Sequence, residues 1–521
     1  MIATRGPRAI SHGSLAGPVL VGIVLASLLS AARAQQEHGA AVTEAQRQRH
    51  MTSPAETAQQ RKAGATQELP APVAQALHDA RIGGSGVAAV VQEIGATHPI
   101  LAHNADTPMN PASVMKLVTT YTGLRVLGPA YSWETQIYSQ QLPHDGVLAG
   151  DIYLKGSGDP KLTLENFWLL LHGLRERGVR DIRGDLVLDR SAFEAAEIDP
   201  AKFDQEPLRP YNVGPDPLLV NFKAVRFQFL PEGDRVLVVA DPDLPQVETV
   251  STVKPASGEC GDWRAQLKVD VQSTATTAHV AFSGVMPASC GPHDWYIGLL
   301  SHPNYVYGIF KSLWAEMGGT LQGSWRDGVV PEGAVQLTSG ESPPLADIVR
   351  DINKYSNNVM ARQLFLTLAR HDSTLPASTA RAAAAVHGWL EESGVALPEL
   401  VLENGSGLSR KERISAGGMV RLLVAAYASP VMPEFIASMP IVAYDGTMKR
   451  HTGLASMSGQ GHIKTGSLNE VRTIAGYVQD RAGRRYAVAF FLNHPNAENA
   501  AAAQDAFLRW VYDSAGSAAG R

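Results

Sequence analysis

Ser113 and Lys116 lie three residues apart, Ser356 and Asn358 two apart, and Lys464, Thr465 and Gly466 stand in a row. In that order they supply a nucleophile, a proton carrier and a carboxylate anchor, the parts that serine acyl transfer needs when no His-Asp pair is present. Singly each motif is weak, since a Ser-x-x-Lys match turns up about once or twice by chance in a chain of this composition. A second one does occur, at Ser251 and Lys254. It sits on the β-branched run Val250 to Val253, where residues three apart point to opposite faces of a strand. Ser113 has the opposite context. Asn110 can cap, Pro111 suits a first helical turn, and the run to Leu127 has few breakers before Gly128-Pro129. On a helix Ser113 and Lys116 share a face. Ser467-Leu468-Asn469 repeats the Ser-x-Asn spacing, whereas Lys-Thr-Gly occurs once, ahead of two strand-like runs, 471–478 and 485–492, that read as a hairpin.

A serine hydroxyl attacks only if a base takes its proton, and Lys116 can do so as a neutral amine. Burial and a second cation both lower a lysine pKa, and Lys464 is placed to be that cation. Ser356 then relays the proton to the leaving amine, and Asn358 holds Lys116 and a substrate amide. The backbone N–H groups of Ser113 and Ser467 are the oxyanion donors. Gly466 leaves room for a peptide along its strand, while Lys464 and Thr465 offer a charge and a hydroxyl to a terminal carboxylate. The expected substrate is a peptide with a free C-terminal carboxylate.

These residues need a scaffold, and the chain divides to provide one. Arg5 and Arg8, the apolar stretch Leu15 to Leu29 and Ala32-Arg33-Ala34 read as an export signal over 1–34. Residues 35–71, rich in Ala, Gln, Thr and charge, read as a disordered linker. The about 490 residues after the signal exceed one ordinary core, so two or three domains are expected. The first two motifs are 243 residues apart (356 − 113), and the intervening stretch is strand-rich and punctuated by turns. The reading is an α+β catalytic domain of helices and a terminal antiparallel sheet, discontinuous over 72–135 and 342–521. It carries two nested, mostly β inserted domains, one over 136–224 and 300–341 and the other over 225–299.

Composition narrows the function. A net charge of -5 with no Lys/Arg block argues against nucleic acid, and no segment after the signal is long and apolar enough to span a bilayer. Cys260 and Cys290 are the two cysteines, 30 residues apart (290 − 260), and in an exported chain they are expected to form a disulfide. No CxxC or HExxH marks a zinc site, and no cofactor is implied. No GxSxG is present, which excludes an α/β-hydrolase esterase.

Further residues extend the trio: Asn110-Pro111-Ala112-Ser113 running into Lys116-Leu117-Val118-Thr119-Thr120, Gly156-Ser157-Gly158-Asp159-Pro160, Gly405-Ser406-Gly407-Leu408-Ser409-Arg410, and Asp445-Gly446-Thr447-Met448. With them, and with the long insertion after the first motif, nearly the whole exported chain resembles the low-molecular-mass class C penicillin-binding proteins, D-alanyl-D-alanine carboxypeptidase/endopeptidases of the DacB type. The resemblance implies a penicillin-binding, β-lactamase-like transpeptidase fold, a periplasmic location, and activity on peptidoglycan stem peptides ending in D-Ala-D-Ala or on D,D-cross-links. It also implies covalent inhibition by β-lactams. By the same resemblance Arg410 and Glu206 meet a diaminopimelate side chain, and Asn469 adds to the substrate site. Asn404 and Asn469 depart from the family's usual residues. The competing readings are a serine β-lactamase or esterase-like hydrolase, and a catalytically idle peptidoglycan-binding protein. The 243-residue gap opposes a class A β-lactamase, and the intact trio opposes the idle protein.

Overall fold

The computed structural model describes residues 67–195, 198–274 and 276–518. The export signal read at 1–34, and the linker up to residue 66, lie outside them. Residues 67–71, assigned above to the linker, are built into the fold: the Gln67 N–H donates to Ala102 O at 3.0 Å, and the Ala102 N–H donates to Gln67 Oε1 at 3.0 Å. These bonds are invisible in composition, which is why the boundary falls short.

The central sheet consists of β1 (Val87–Glu93), β2 (Leu101–His103), β3 (Gly461–Leu468), β4 (Val471–Gln479) and β5 (Arg485–Asn493), in the order β3-β4-β5-β1-β2 and antiparallel throughout. Strands β1 and β5 are largely apolar along their length because both faces of the sheet are covered. On one side Val90, Tyr477, Ala489 and Phe491 pack on helices α1 (Lys116–Val126), α2 (Leu345–Lys354), α3 (Asn358–Leu368) and α4 (Ala416–Tyr427). On the other, Val91, Ile474, Val488 and Leu492 meet the terminal helices Ala71–Asp79 and Ala501–Ala518. Strand β3 is an edge of this sheet, and that edge is where the Lys-Thr-Gly motif lies.

Between β2 and β3 the chain builds a second mixed sheet from Glu134–Ser139, Ile152–Lys155, Leu186–Asp189, Trp325–Asp327 and Val335–Glu341. Two smaller sheets follow from residues 224–298. This region is less purely β than its sequence suggests. Helices Leu164–Glu176 and His302–Glu316 cover the second sheet, with Phe167, Leu171, Phe310 and Trp314 buried. Their apolar residues recur at helical spacing, but short strands on either side dominate the pattern. The side chains of both inserted parts also merge into one hydrophobic cluster, with Ile137 and Leu337 from one part and Phe229 and Phe282 from the other. Gln363 on α3 fixes the insertion to the catalytic helices: its Oε1 accepts from Asp216 N at 3.0 Å, and its Nε2 donates to Asp216 O at 2.8 Å. Lys161 pairs with Asp351 on α2 at 2.6 Å.

Cys260 and Cys290 are bonded to each other, with Cα atoms 4.7 Å apart. A loop of this length should contribute about 3–4 kcal/mol. Replacing both by serine is therefore expected to lower the melting temperature while Ser113 still acylates. A melt unchanged from the parent protein's would mean that the bridge contributes nothing.

Candidate active site

Residues Ala112–Met115 form a 3₁₀ turn that runs directly into α1 at Lys116, so Ser113 and Lys116 do share a face. The cap differs from the one expected. The Asn110 Oδ1 accepts from Ala112 N at 2.9 Å, closing an Asx turn ahead of the helix, and its Nδ2 donates to Ser409 O at 2.8 Å. Ala112 stands at φ +45° and Ser356 at φ +56°, left-handed values that non-glycine residues seldom adopt. Ala112 precedes the nucleophile Ser113 and Ser356 is itself the proton carrier, so both unusual turns lie at the site.

Lys116 is fully buried, and its amine has three neighbours: Ser113 Oγ at 3.0 Å, Asn358 Oδ1 at 2.6 Å and Ser406 O at 2.5 Å. Two of these are carbonyl oxygens that can only accept. A neutral amine has two N–H groups for them and one lone pair left, which then faces the one neighbour able to donate, the Ser113 hydroxyl. Burial holds the Lys116 pKa well below the ordinary lysine range; the charges of Lys464 and Arg362 push it further down, and Glu412 pushes it up. The motif thus has the geometry of a general base.

Lys464 is also fully buried, and its Nζ donates to Ser356 Oγ at 2.9 Å and to Thr465 O at 2.6 Å. Burial lowers its pKa to about 7. No side-chain carboxylate is bonded to it among the described residues, which leaves one donor for an incoming anion. Thr465 Oγ1 donates to Thr447 Oγ1 at 2.8 Å. Lys354 pairs with Asp445 at 2.5 Å, tying the end of α2, just before Ser356, to the loop that carries Thr447. Along β3 the Ile463 N–H points off the sheet edge to Pro440 O at 2.8 Å. By the two-residue period of a strand, the N–H groups of Thr465 and Ser467 face the same open edge.

Gly466 has a duty beside the one expected. A Cβ there would overlap Thr473 Oγ1 and stand 2.8 Å from Pro111 O and 3.0 Å from Ser113 N. The glycine lets the strand close against the nucleophile's turn. Arg410 donates to Asn469 O at 3.0 Å and lies 5.1 Å from the centre of the Phe203 ring, so Arg410 and Asn469 do meet. The Glu206 carboxylate pairs with Arg209 at 3.4 Å. Glu403 accepts from Ser409 Oγ at 2.6 Å and pairs with Lys411, the two chain neighbours of Arg410. Asn404 accepts from Ser406 N at 2.9 Å and donates to Leu408 O at 3.0 Å, a donation that a carboxylate could not make. The decoy Ser251 ends one exposed strand and Lys254 begins the next.

Sequence reasoning missed Ser406, Thr447, Lys354 with Asp445, and Glu412. Ser406 acts through a carbonyl that every residue possesses, so no side-chain signal could mark it. Thr447 and Asp445 lie in a motif quoted above without a role.

A profile of the D-Ala-D-Ala carboxypeptidase 3 (S13) family matches residues 69–513. The chain belongs to this family. It is a serine-type carboxypeptidase. The D-alanyl-D-alanine carboxypeptidase DacB of Haemophilus influenzae is 25% identical over 415 residues, covering 79% of this chain and 86% of that one. The D-alanyl-D-alanine carboxypeptidase of an Actinomadura species is 26% identical over 427 residues, 78% of each chain. The crystal structure of penicillin binding protein 4 from H. influenzae matches with a TM-score of 0.71 at 23% identity, covering 85% of this chain and 99% of that one. A second structure of that protein, complexed with a β-lactam, matches at 0.68. The shared fold is the α+β arrangement of sheet, helices and insertion described above.

Proposed function

We propose that the enzyme removes the terminal D-alanine of peptidoglycan stem peptides and cuts D,D-cross-links through an acyl-enzyme on Ser113. The observation that carries this reading is the Lys116 amine, whose two carbonyl acceptors leave its lone pair for the Ser113 hydroxyl. Ser113 Oγ attacks the carbonyl carbon of the penultimate D-alanine as its proton passes to Lys116. The oxyanion forms between the N–H groups of Ser113 and Ser467. When the C–N bond breaks, the leaving amine takes a proton through Ser356, which Lys464 holds at 2.9 Å. The substrate's terminal carboxylate lies on Lys464, Thr465 and Thr447. Water then attacks the ester with Lys116 again as base, restoring Ser113. A cross-link places the same carboxylate on its leaving side, so one site serves both cuts. Arg410, with Asn469 beside it, lines the acyl side.

The export signal at 1–34 would take the enzyme to the periplasm, where its substrate lies and where Cys260 and Cys290 can oxidise. The test is a labelled penicillin. The label is expected on the peptide spanning Ser113, and Ser113→Ala should reduce labelling by about 10³-fold or more. Label on another peptide, or full labelling of Ser113→Ala, would overturn the mechanism.

A further inference from the structure

Glu412 is fully buried, and its carboxylate is spent on the main chain of a single loop. Oε1 accepts from the N–H groups of Glu403 at 3.1 Å, Asn404 at 2.9 Å and Gly405 at 2.8 Å, and Oε2 accepts from Gly407 N at 2.9 Å. Four N–H groups turned inward onto one carboxylate curl the segment 403–407. The carbonyl between them, that of Ser406, is turned to Lys116 Nζ at 2.5 Å. Thr119 on α1 clamps the same loop by donating to Gly405 O at 2.6 Å. Without the carboxylate, four buried donors would be orphaned.

The charge has a second consequence. Lys116 faces the cations Lys464 from β3 and Arg362 from α3, and one buried anion, Glu412, from the loop. Burial pushes the Glu412 pKa up, and the four N–H donors pull it back.

We propose that Glu412 is a positioning residue for the base: it aims the Ser406 carbonyl that orients the Lys116 lone pair, and it is the counter-charge that keeps this amine basic. This role rests on Lys116 acting as the base. An amine surrounded only by cations would shed its proton readily but would accept one from Ser113 poorly.

The experiment is the pH dependence of Ser113 acylation by labelled penicillin. In Glu412→Gln the loss of the anion should let Lys116 lose its proton at lower pH, so the acid limb moves down while the plateau rate falls about 10-fold. Glu412→Asp keeps the charge and shortens the reach; its limb should stay in place while its rate falls. A Glu412→Gln protein that folds and shows an unmoved acid limb would make Glu412 a packing residue only. If the Gln variant does not fold, the Asp variant decides, and full-rate acylation by it overturns the proposal. Lys116→Ala, run in parallel, separates the two ideas. Acylation that survives it removes the base assignment, and this role of Glu412 with it.

Discussion

Gly466→Ala should slow acylation of Ser113 by about 100-fold or more while the protein stays folded. The added methyl has nowhere to go: Thr473 Oγ1 lies inside its radius, and Pro111 O and Ser113 N stand at 2.8 and 3.0 Å. Thr473 cannot simply swing away, because its hydroxyl donates to Pro111 O at 2.7 Å and so holds the turn that delivers the nucleophile. Strand β3 must therefore move off that turn. The motion would draw the Ser467 N–H away from Ser113 and part the two oxyanion donors. A misplacement of about 1 Å at a reacting centre costs on the order of 10²-fold, which sets the size of the effect. The methyl enters at a sheet edge, so the cores on either face of the sheet should survive it. Labelling kinetics and a thermal melt check both halves. Acylation near the parent rate would mean that the strand and the turn are not the rigid pair described here.

The same glycine shows what was legible in the sequence. That a glycine follows Lys-Thr was plain, but its packing against the Pro111 turn, 355 residues earlier (466 − 111), could not be seen. The hairpin of β4 and β5 follows from local apolar spacing, and it stands close to where that spacing puts it. Ser113, Lys116, Ser356, Asn358 and Lys464 converge because their side-chain types and order carry the chemistry. What stayed hidden acts through the backbone or across long loops. The Ser406 carbonyl has no residue signature, the left-handed turns at Ala112 and Ser356 use residues that rarely adopt them, and Glu412 resembles any surface glutamate until four N–H groups close on it. Glu206 lies in an insertion, where an alignment of loop residues fixes neither the path of the chain nor the partner of a side chain; its carboxylate pairs with Arg209, three residues on.

Lys464→Ala is expected to separate two substrates that differ by one charge. The Nζ is buried and donates to Ser356 Oγ and Thr465 O, so its charged form keeps one further N–H for the carboxylate of the proposed substrate. Burial lowers its pKa to about 7, so a carboxylate arriving there favours the charged form and is held by it. A charge-assisted bond of this kind contributes about 2–3 kcal/mol, equivalent to about 30- to 150-fold in binding. kcat/KM for a free-acid D-Ala-D-Ala peptide should therefore fall about 100-fold more than for its C-terminal amide, which has no charge to lose. The pH profile should move as well. Below about pH 7 Lys464 carries its proton, and its charge is one of the causes holding the Lys116 pKa down. Removing that cation raises the Lys116 pKa, so the neutral base appears only at higher pH and the acid limb shifts upward. The direction is opposite to that expected of Glu412→Gln, and a purely structural disturbance would have no reason to produce two shifts of opposite sign. Equal losses on acid and amide, with an unmoved limb, would reduce Lys464 to a strand residue that happens to carry an amine.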